Sequence, residues 1–518
     1  MTATTADEET PLLDEQRKRK PTPLPWAQFS ILIVLQLAEP FTNQVIYPFA
    51  PQLIRDVGIT HGDETRVGYY VGVMQSIFFA TQAMTVLHWS RLSDHVGRRP
   101  VIMIGLFGLS LSMYCFGLSK TFWGAVLSRS LNGALNGNIG VLKSMIAEIT
   151  DSTNLAQAYA YLPIAWSTGG TLGPIIGGFL SRPTERFPQY FGHNAFLKEY
   201  PYFLACAVPA TFSACAWIVS WLFLHETVSK PRSFHRIITG RLKRIGSSQS
   251  VHDSKDTSTA RVLAVDEATL KNQPLPLRKL VTTPLVLIAA LNYACLALVD
   301  ICTRAVQPTF FSTPVELGGL GLPPHHIGKI LSLYGILNGF LQIFFFAKTQ
   351  ARFGAKNTYM AGVASSLLTF ISFPIINMFA RMGEEAEWFV WLAVGFQVVM
   401  SIFINFSYGK KPLLPSTVHR LITVIRTGCV FIYITASAPN RASLGSVNGL
   451  AQLSVSIVRA LGPAAANSLF SLSIDPTRHY LGGNLVYWVL SALACLALFA
   501  GSFLPSRAWS NIRAEEES

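Results

Sequence analysis

The chain alternates between long apolar blocks and short polar segments. The apolar blocks are roughly 18 to 25 residues long, and about 20 apolar residues are what a helix needs to cross ~30 Å of hydrocarbon. Each block therefore predicts a membrane-spanning helix. The clearest blocks are residues 27–50, 68–89, 101–118, 202–224, 284–306, 327–347, 358–379, 388–408 and 484–504.

Three weaker blocks complete the pattern, at residues 122–142, 158–181 and 447–471. They are rich in Gly, Asn, Ser and Ala, which lowers their hydropathy but suits close packing between helices in a membrane. We count them as spans because removing any one would place basic loops on opposite sides of the bilayer. The pattern thus predicts an all-α membrane protein with twelve transmembrane helices.

Composition agrees with this prediction. Of 518 residues, 50% are hydrophobic and 13% are charged, and the mean hydropathy is +0.37, which is typical of a membrane protein and not of a soluble enzyme. The seven cysteines lie in or at apolar blocks and form neither a disulfide framework nor a zinc motif. Residues 1–26 are charged and Pro-rich, so we expect no cleavable signal peptide. We also expect no cofactor.

The net charge of +13 reflects topology. Of the 41 Lys and Arg residues, 24 lie in segments that this topology places inside, chiefly the N-terminal tail, the loop between spans 2 and 3 and the segment 225–283, and 8 lie in the outside loops. Positive residues favour the cytosolic side, so both termini are predicted to be cytosolic. Because these residues would lie beside anionic lipid, the charge requires no nucleic-acid partner. We expect a monomer in contact with the lipid bilayer.

The spans divide six and six around a hydrophilic linker. The predicted parts are a cytosolic tail (1–26), an N-terminal half (27–224), a cytosolic linker (225–283), a C-terminal half (284–504) and a second tail (505–518). Weak internal symmetry supports two repeats. The loops 89–100 and 347–356 both place a glycine between basic residues, and Gly173-Pro174 is echoed by Gly462-Pro463. Such repeats are typical of secondary transporters with a binding site near the bilayer midplane.

The loop between spans 2 and 3 contains Leu92, Asp94, Gly97, Arg98 and Arg99. It resembles the signature of the major facilitator superfamily, although Ser90 stands where that signature begins with Gly. Residues 127–133 are similar to the superfamily's fourth-helix motif. Residues 169–178 resemble its fifth-helix motif, which is associated with proton-coupled antiporters.

A narrower resemblance rests on four short strings, at 37–40, 148–151, 222–227 and 434–440. They look like the fungal and plant drug:proton antiporter branch that includes the zinc-induced-facilitator-like proteins. The resemblance implies the major facilitator fold, in which two six-helix bundles surround a central site. It also implies multidrug efflux or the transport of a related small molecule.

Charged residues inside predicted spans are candidates for function, because a charge at a helix centre costs about 2.5 to 3.5 kcal/mol even on a lenient scale. Glu39 lies near the middle of the first span beside Pro40, with Gln36, Asn43 and Gln44 nearby. A carboxyl there is suited to exchanging a proton or contacting substrate. The alternative is a packed carboxyl that pairs with an arginine.

Four more charged residues lie inside predicted spans. Asp300 and Arg304 are four residues apart, so they share a helix face and could form either a structural pair or a proton site. Arg459, close to Gly462-Pro463, could hold an anionic group or a carboxylate. The family resemblance gives Arg129 a role in a buried polar network and in proton coupling.

Two motifs serve conformational change. Asp94, Arg98 and Arg99 could bridge helix ends within or between the halves, and Gly97 permits a tight turn. The preference of Lys and Arg for cytosolic loops would explain the two arginines, but it does not explain the acidic Asp94. In the fifth span, the glycine motif makes a thin-faced, bendable helix that lets a partner approach closely. Its residues are Gly169, Gly170, Gly173, Pro174, Gly177 and Gly178.

Residues 410–427 interrupt the tenth span with polar and basic residues. Removing them would join two apolar stretches into one helix, so we interpret them as a retained intron in a fungal gene product. A spliced message that lacks these codons would support this hypothesis, and a continuous message would refute it. If the stretch is translated, we expect the tenth helix to be disturbed.

The sequence leaves the activity and the location partly open. The favoured activity is proton-coupled antiport of a small organic compound, such as a drug or secondary metabolite. The alternatives are an organic-acid or metal-chelate facilitator and a non-transporting receptor. A membrane-embedded enzyme is disfavoured because no catalytic signature is present.

Residues 8–13 resemble an acidic dileucine signal, which favours the vacuole over the plasma membrane. His325-His326 alone is a weak metal motif.

Overall fold

The computed structural model describes residues 22–151, 154–227, 277–408, 429–439, 443–477 and 480–505, and helices dominate them. A helix lies in each of the twelve predicted spans. We number these helices α1 to α12, and the fourth consists of two pieces, α4a and α4b. They are α1 Trp26–Gln44, α2 Val67–Val96, α3 Arg98–Gly117, α4a Phe122–Leu135, α4b Asn138–Ile149, α5 Leu155–Leu180, α6 Phe203–Phe223, α7 Pro284–Ser312, α8 Pro324–Phe344, α9 Phe346–Arg381, α10 Glu387–Phe403, α11 Leu444–Ser473 and α12 Leu485–Ser502.

Seven helices of the described residues are long and apolar enough to cross a membrane, or eight if the bent pair Glu64–Val86 and His88–Val96 counts as one span. Of the three weaker blocks, the one at 447–471 is among the seven helices, whereas the helices of the clear blocks 27–50 and 327–347 are not. Twelve spans therefore remain the prediction from sequence. The all-helical architecture itself is confirmed.

The fourth span differs most from its predicted bounds. It was expected at residues 122–142, but its helix stops at Leu135, resumes at Asn138 and continues to Ile149. Asn136 leaves the helical conformation (φ −82°, ψ 63°), and the indole Nε1 of Trp89 donates to the carbonyl of Ala134 (2.7 Å). The second piece places Lys143 in the middle of a helix.

The tenth span is described only up to residue 408. Helix α10 passes into a short 3₁₀ turn at Ile404–Ser407, and a nine-residue helix follows at Cys429–Ser437. The anomalous residues 410–427 lie outside the described residues. The retained-intron hypothesis therefore stays a prediction.

Each half of the chain has its own apolar core. In the N-terminal half, one cluster contains Phe29, Leu106 and Met145, and another contains Phe49, Met74 and Phe116. In the C-terminal half, a single cluster includes Phe310 and Phe373, whose rings meet edge to face at 4.8 Å between centroids. The buried apolar clusters are thus internal to one half or the other.

Two pairs of helices join the halves, α2 with α11 and α5 with α8. Glycines permit both contacts. A Cβ on Gly72 would lie 2.7 Å from the carbonyl of Pro463, and a Cβ on Gly178 would lie 2.7 Å from the carbonyl of Pro324. The pairs are related by the repeat, because α5 and α11 carry the echoed Gly-Pro sequence.

The repeat is visible at one end of the bundle, which we call the motif face and which contains Gly97 and Gly354. Both glycines have positive φ, 115° and 79°. Beside them, Arg99 donates to the carbonyl of Trp221 at the end of α6, and Lys356 donates to the carbonyl of Ser502 at the end of α12 (2.8 Å). The other end, which contains Gly58 and Gly318, is called the opposite face.

Candidate functional site

A cavity lies between the two halves. It encloses about 970 Å³ of space, part of which is open to solvent. Side chains from α1, α5, α7, α8 and α10 line it, together with Tyr47, which follows α1, and both halves contribute. Polar groups predominate among these residues, which include Gln44, Tyr47, Ser167, Asp300, Thr303, Arg304, Gln307, Tyr334, Asn338, Gln342, Ser401 and Asn405.

Asp300 and Arg304 form an ion pair, in which the Nε of Arg304 donates to Oδ1 of Asp300 at 2.8 Å. Arg304 also donates through Nη2 to the Tyr334 hydroxyl (3.3 Å) and to Oδ1 of Asn405 (3.2 Å). Asn405 in turn donates to the same hydroxyl (2.6 Å) and to Oδ1 of Asn338 (3.0 Å). One network thus fixes α7, α8 and the end of α10 around the cavity.

Glu39 is buried in α1, with 8% of its surface exposed. It forms no ion pair with any described residue. Its neighbours are the side-chain amides of Asn136 and Gln82, and the cations whose charge acts on it are Arg459 and Lys143. The Glu39 carboxyl therefore lies among polar groups, but no cation among the described residues forms an ion pair with it.

Several amide groups near the first span lack hydrogen-bond partners among the described residues. They are Oε1 of Gln36, Nε2 of Gln82 and both polar atoms of Asn136. An unpaired buried amide is costly, about 1 to 3 kcal/mol. Groups of this kind accept water or a ligand readily, so the predicted role of Gln36 beside Glu39 is compatible with its position.

Arg129 is buried in α4a, with 3% of its surface exposed. Its Nη2 donates to Oδ1 of Asn43 at 2.8 Å, and its guanidinium lies 4.6 Å from the centre of the Phe78 ring. The other two guanidinium nitrogens have no partner among the described residues. Arg129 therefore does belong to a buried polar network, which joins α1, α2 and α4a.

Lys143 was not singled out from the sequence, because the fourth span was expected to end at residue 142. In the structure it lies in α4b and is exposed, and its charge interacts with those of Glu39 and Arg459. The Asn-Gly pair at 136–137 was the available signal, because such a pair interrupts helices.

Arg459 reaches the site from the other half of the chain. It is half-buried on α11 and makes no hydrogen bond or ion pair with any described residue. Its charge acts on Glu39 and also on Tyr293 and Tyr408 of the C-terminal half. Arg459 is thus a cation of the C-terminal half that lies within electrostatic range of Glu39 in the N-terminal half.

The loop between α2 and α3 forms a network within the N-terminal half. Arg98 pairs with Asp94 (2.5 Å) and with Glu148 (2.8 Å). The Glu226 carboxylate accepts hydrogen bonds from the backbone N–H groups of Arg98 (2.8 Å) and Arg99 (3.0 Å). Of the two expected arrangements, bridging within one half is the one observed.

The glycine motif of α5 packs on two sides. Toward α1, a Cβ on Gly169 would lie 2.8 Å from the Pro40 ring, and one on Gly173 would lie 2.9 Å from Cβ of Gln44; Gly177 lies against the backbone of Val45. Toward α8, Gly178 and the carbonyl of Pro174 lie against Gly328. The motif therefore links the first span to the contact between the halves.

Hydrogen bonds between the halves hold the opposite face together. Arg55 donates to Oγ and O of Ser312 (2.6 and 2.9 Å). Further bonds join the two helix pairs, and none of them reaches past the middle of the helices toward the motif face. They run from Tyr69 N–H to Ser471, from Ala464 N–H to Ser76, from Ser167 to the Gly335 carbonyl and from Ser332 to the Thr171 carbonyl.

The two histidines begin α8, and their rings touch at 4.2 Å between centroids. Among the described residues, no group of three or more His, Cys, Asp or Glu side chains could hold a metal ion. The structure therefore gives no further support, among the described residues, for a metal site at His325 and His326.

Comparison with protein families gives one family model. The model described as Major Facilitator Superfamily matches residues 32–463. Among curated relatives, the major facilitator-type transporter psiT2 of Psilocybe cyanescens is 28% identical over 92% of this chain and 90% of its own length. The multidrug transporter mfsB of Aspergillus fumigatus is 26% identical, over 92% and 83%.

The plant branch is represented as well. The protein ZINC INDUCED FACILITATOR 1 of Arabidopsis thaliana is 24% identical over 93% of this chain and 92% of its own length. Among solved structures, a D-xylose-proton symporter covers 93% of this chain with a TM-score of 0.61 at 12% identity. The sequence relatives confirm the predicted branch, and the solved structure supports the fold alone.

Proposed function

This chain belongs to the major facilitator superfamily of transporters, and from that premise we propose that it exports a small organic compound by proton-coupled antiport. Alternating access would carry the substrate, with the cavity opening first to one face and then to the other. The names of the curated relatives, which include a multidrug transporter and an efflux pump, favour export. The proposed site is the cavity between the halves.

The arrangement of contacts supports alternating access. The hydrogen bonds between the halves lie toward the opposite face, and Lys143 is exposed on the side of the motif face. With the motif face in the cytosol, as the Lys and Arg distribution predicts, this is a cytosol-open state. A cytosolic compound would enter the cavity beside the network of Asp300 and Arg304.

The observation that carries the proton coupling is the position of Glu39. It is a buried carboxyl of α1 beside the side-chain amides of Asn136 and Gln82, without an ion pair among the described residues. Such a group changes its charge when it gains or loses a proton, and the charge acts on cations in both halves. Asp300 is a poorer carrier because Arg304 already neutralises it.

Purified protein in liposomes tests this proposal. Liposomes that contain a pH-sensitive dye would report proton movement when ethidium, citrate or zinc citrate is added. We expect at least one probe to release protons in the wild type, and Glu39→Gln to abolish this exchange while the protein remains folded. Glu384→Gln, which removes an exposed carboxyl in the loop before α10, is the matched control and should exchange normally.

The same assay separates the candidate activities. Exchange with ethidium supports drug efflux, whereas exchange with citrate or zinc citrate alone supports an organic-acid or metal-chelate facilitator. Arg459 has no hydrogen-bond or ion-pair partner among the described residues, and this favours the second candidate because a guanidinium suits a carboxylate. Uptake that ignores the pH gradient would reject antiport, and binding without transport of any probe would favour a receptor.

The location is part of the proposal. The dileucine-like string at residues 8–13 favours the vacuolar membrane. Fluorescence microscopy of the tagged chain, with Leu12 and Leu13 changed to Ala in a second strain, tests it. Vacuolar fluorescence that moves to the plasma membrane in the variant is the expected result.

A further inference from the structure

The wall of the cavity between the halves carries one negative and one positive group. Among the described residues that line it, only Asp300 and Arg304 are charged, and both belong to α7. The N-terminal half contributes neutral groups, which include the amide of Gln44, the hydroxyl of Ser167 and the indole ring of Trp166. A compound in the cavity therefore meets a carboxylate directly beside a guanidinium.

The ion pair leaves hydrogen-bonding capacity free on both of its members. Asp300 accepts through Oδ1, and Arg304 donates through Nε and Nη2 to Asp300, Tyr334 and Asn405. Oδ2 of Asp300 and Nη1 of Arg304 have no hydrogen-bond partner in the part of the chain that the structure describes. The two side chains are 12% and 30% exposed, and they line the cavity. The pair thus offers a ligand one free acceptor and one free donor.

A ligand with a single charge is poorly matched to this pair. A cation that approaches Asp300 also approaches Arg304, because the two side chains meet at 2.8 Å, and a protein cavity screens the resulting repulsion less than bulk water does. An anion beside Arg304 meets Asp300 in the same way. Displacing either member of the pair would leave an uncompensated charge, which is costly away from bulk water.

A zwitterion avoids both penalties. Its cationic group can donate to Oδ2 of Asp300 while its anionic group accepts from Nη1 of Arg304, and the ion pair itself stays intact. Charge-assisted hydrogen bonds of this kind are about twice as strong as those between neutral groups. An uncharged ligand would tolerate the pair but would form no bond between two charged groups.

We propose that the transported compound is a small zwitterion whose ammonium group binds Asp300 and whose carboxylate binds Arg304. The proposal rests on the proposed function, because it takes the cavity as the transport site. Helix α7 ends at Ser312, which Arg55 binds at the opposite face, so Asp300 lies about 6 Å nearer the motif face than Arg304. The ammonium end of the ligand therefore points toward the motif face, and Trp166 offers an aromatic surface to its remaining atoms.

Binding of compounds that share a skeleton tests the charge preference. L-Phenylalanine is the zwitterion, 2-phenylethylamine the matched cation, 3-phenylpropionate the matched anion and 3-phenylpropionamide the uncharged compound. L-Leucine, isopentylamine, 4-methylpentanoate and 4-methylpentanamide form a smaller aliphatic set. Calorimetric titration of the protein in lipid nanodiscs at neutral pH gives each Kd. In at least one set, we expect the zwitterion to bind about tenfold more tightly than every relative, which corresponds to ~1.4 kcal/mol.

Neutralising one member of the pair should change the preference, which a purely structural pair would not do. Asp300→Asn should weaken binding of the zwitterion and strengthen that of the anion. Arg304→Gln should weaken binding of the zwitterion and strengthen that of the cation. Glu199→Gln, which removes an exposed carboxylate that pairs with Lys120 far from the cavity, is the control and should bind every compound as the wild type does.

Two results would overturn the proposal: a relative that binds as tightly as the zwitterion in both sets, or no binding of either zwitterion. The comparison within the wild type needs no variant, so it stands even where a variant fails to fold. Because no pH gradient is applied, it is also independent of the liposome assay. Preferential binding of a zwitterion without proton exchange would retain the substrate class and reject antiport, whereas proton exchange with ethidium and no binding of a zwitterion would do the reverse.

Discussion

Two charged residues of α7 show how far spacing alone is informative. The separation of four residues placed Asp300 and Arg304 on one helix face, and the structure joins them at 2.8 Å. Spacing did not predict that Tyr334 and Asn405 complete the network, because these residues come from α8 and the end of α10. A pair that also holds two other elements contributes more than a simple surface ion pair.

A double-mutant cycle measures this contribution. Arg304→Gln leaves Asp300 without its cation, and Asp300→Asn leaves Arg304 without its carboxylate, so each should lower the thermal stability of the detergent-solubilised protein. The double variant should be more stable than the sum of the two losses predicts, with a coupling energy of about 0.5 to 3 kcal/mol. Additive losses would show that the pair adds nothing.

The buried amides and Lys143 mark what the sequence alone could not provide. The charged residues of the spans were found because charge is rare in apolar blocks. Gln82 and Asn136, however, are ordinary polar residues until α2 and α4 bring them beside Glu39. Lys143 was missed because the apolar pattern ended one residue before it, although the helix continued.

At the scale of single elements, α5 is the clearest case of composition that serves packing. Its glycines were predicted to give a thin face, and the structure places that face against both α1 and α8. The individual glycines differ in how closely a neighbouring helix approaches them. Gly178 lies against the backbone of α8, whereas nothing lies within 4 Å of a Cβ placed on Gly170.

This difference gives a prediction with an internal control. Gly178→Ala would place a Cβ 2.7 Å from the Pro324 carbonyl and 2.9 Å from Cα of Gly328. Because backbone atoms cannot rotate away, the contact between α5 and α8 should open, at a cost of about 1 to 3 kcal/mol. Gly170→Ala, the same change two turns earlier, should leave thermal stability unchanged or raise it.

Disulfide formation between Ser167→Cys and Gly339→Cys, whose Cβ atoms would lie 3.6 Å apart across the same pair of helices, gives the readout for the contact itself. It should be slower in Gly178→Ala than in Gly170→Ala. Equal rates and equal stabilities would mean that the close approach of the two helices is not what the glycine maintains.

Helix α4 shows an element that hydropathy describes poorly. Its break at Asn136 lies near the bend of α2, where Trp89 reaches the free carbonyl of Ala134. A Cβ on Gly137 would overlap the side chain of Trp89. The irregularity is thus supported by a specific partner, and no pattern of apolar positions contains that information.

At the scale of the whole molecule, the fold was predictable to a large extent. The twelve blocks, the division into halves and the paired loops at Gly97 and Gly354 all follow from periodicity and repetition. The relative position of the halves was not predictable. It depends on contacts such as Arg55 with Ser312, which connect residues that are far apart in the sequence.

Orientation is the global property that the Lys and Arg distribution predicts. In sealed vesicles of known orientation, a membrane-impermeant maleimide should label Phe353→Cys from the cytosolic side and Tyr190→Cys from the other side; both positions are exposed. The cysteine-free parent is the control. Labelling of both positions from one side would contradict the predicted topology.

Few hydrogen bonds join the two halves toward the opposite face, and under the proposed alternating access they would limit the energy that separates the two access states. A single hydrogen bond contributes a net of about 0.5 to 1.5 kcal/mol, and reversing a two-state population from 1:99 to 99:1 takes about 5.5 kcal/mol. The bonds at Arg55, Tyr69, Ser76, Ser167 and Ser332 therefore amount to roughly one such reversal. Under the proposed mechanism, a solute that binds one access state about 10⁴-fold more tightly than the other would supply as much free energy as these bonds.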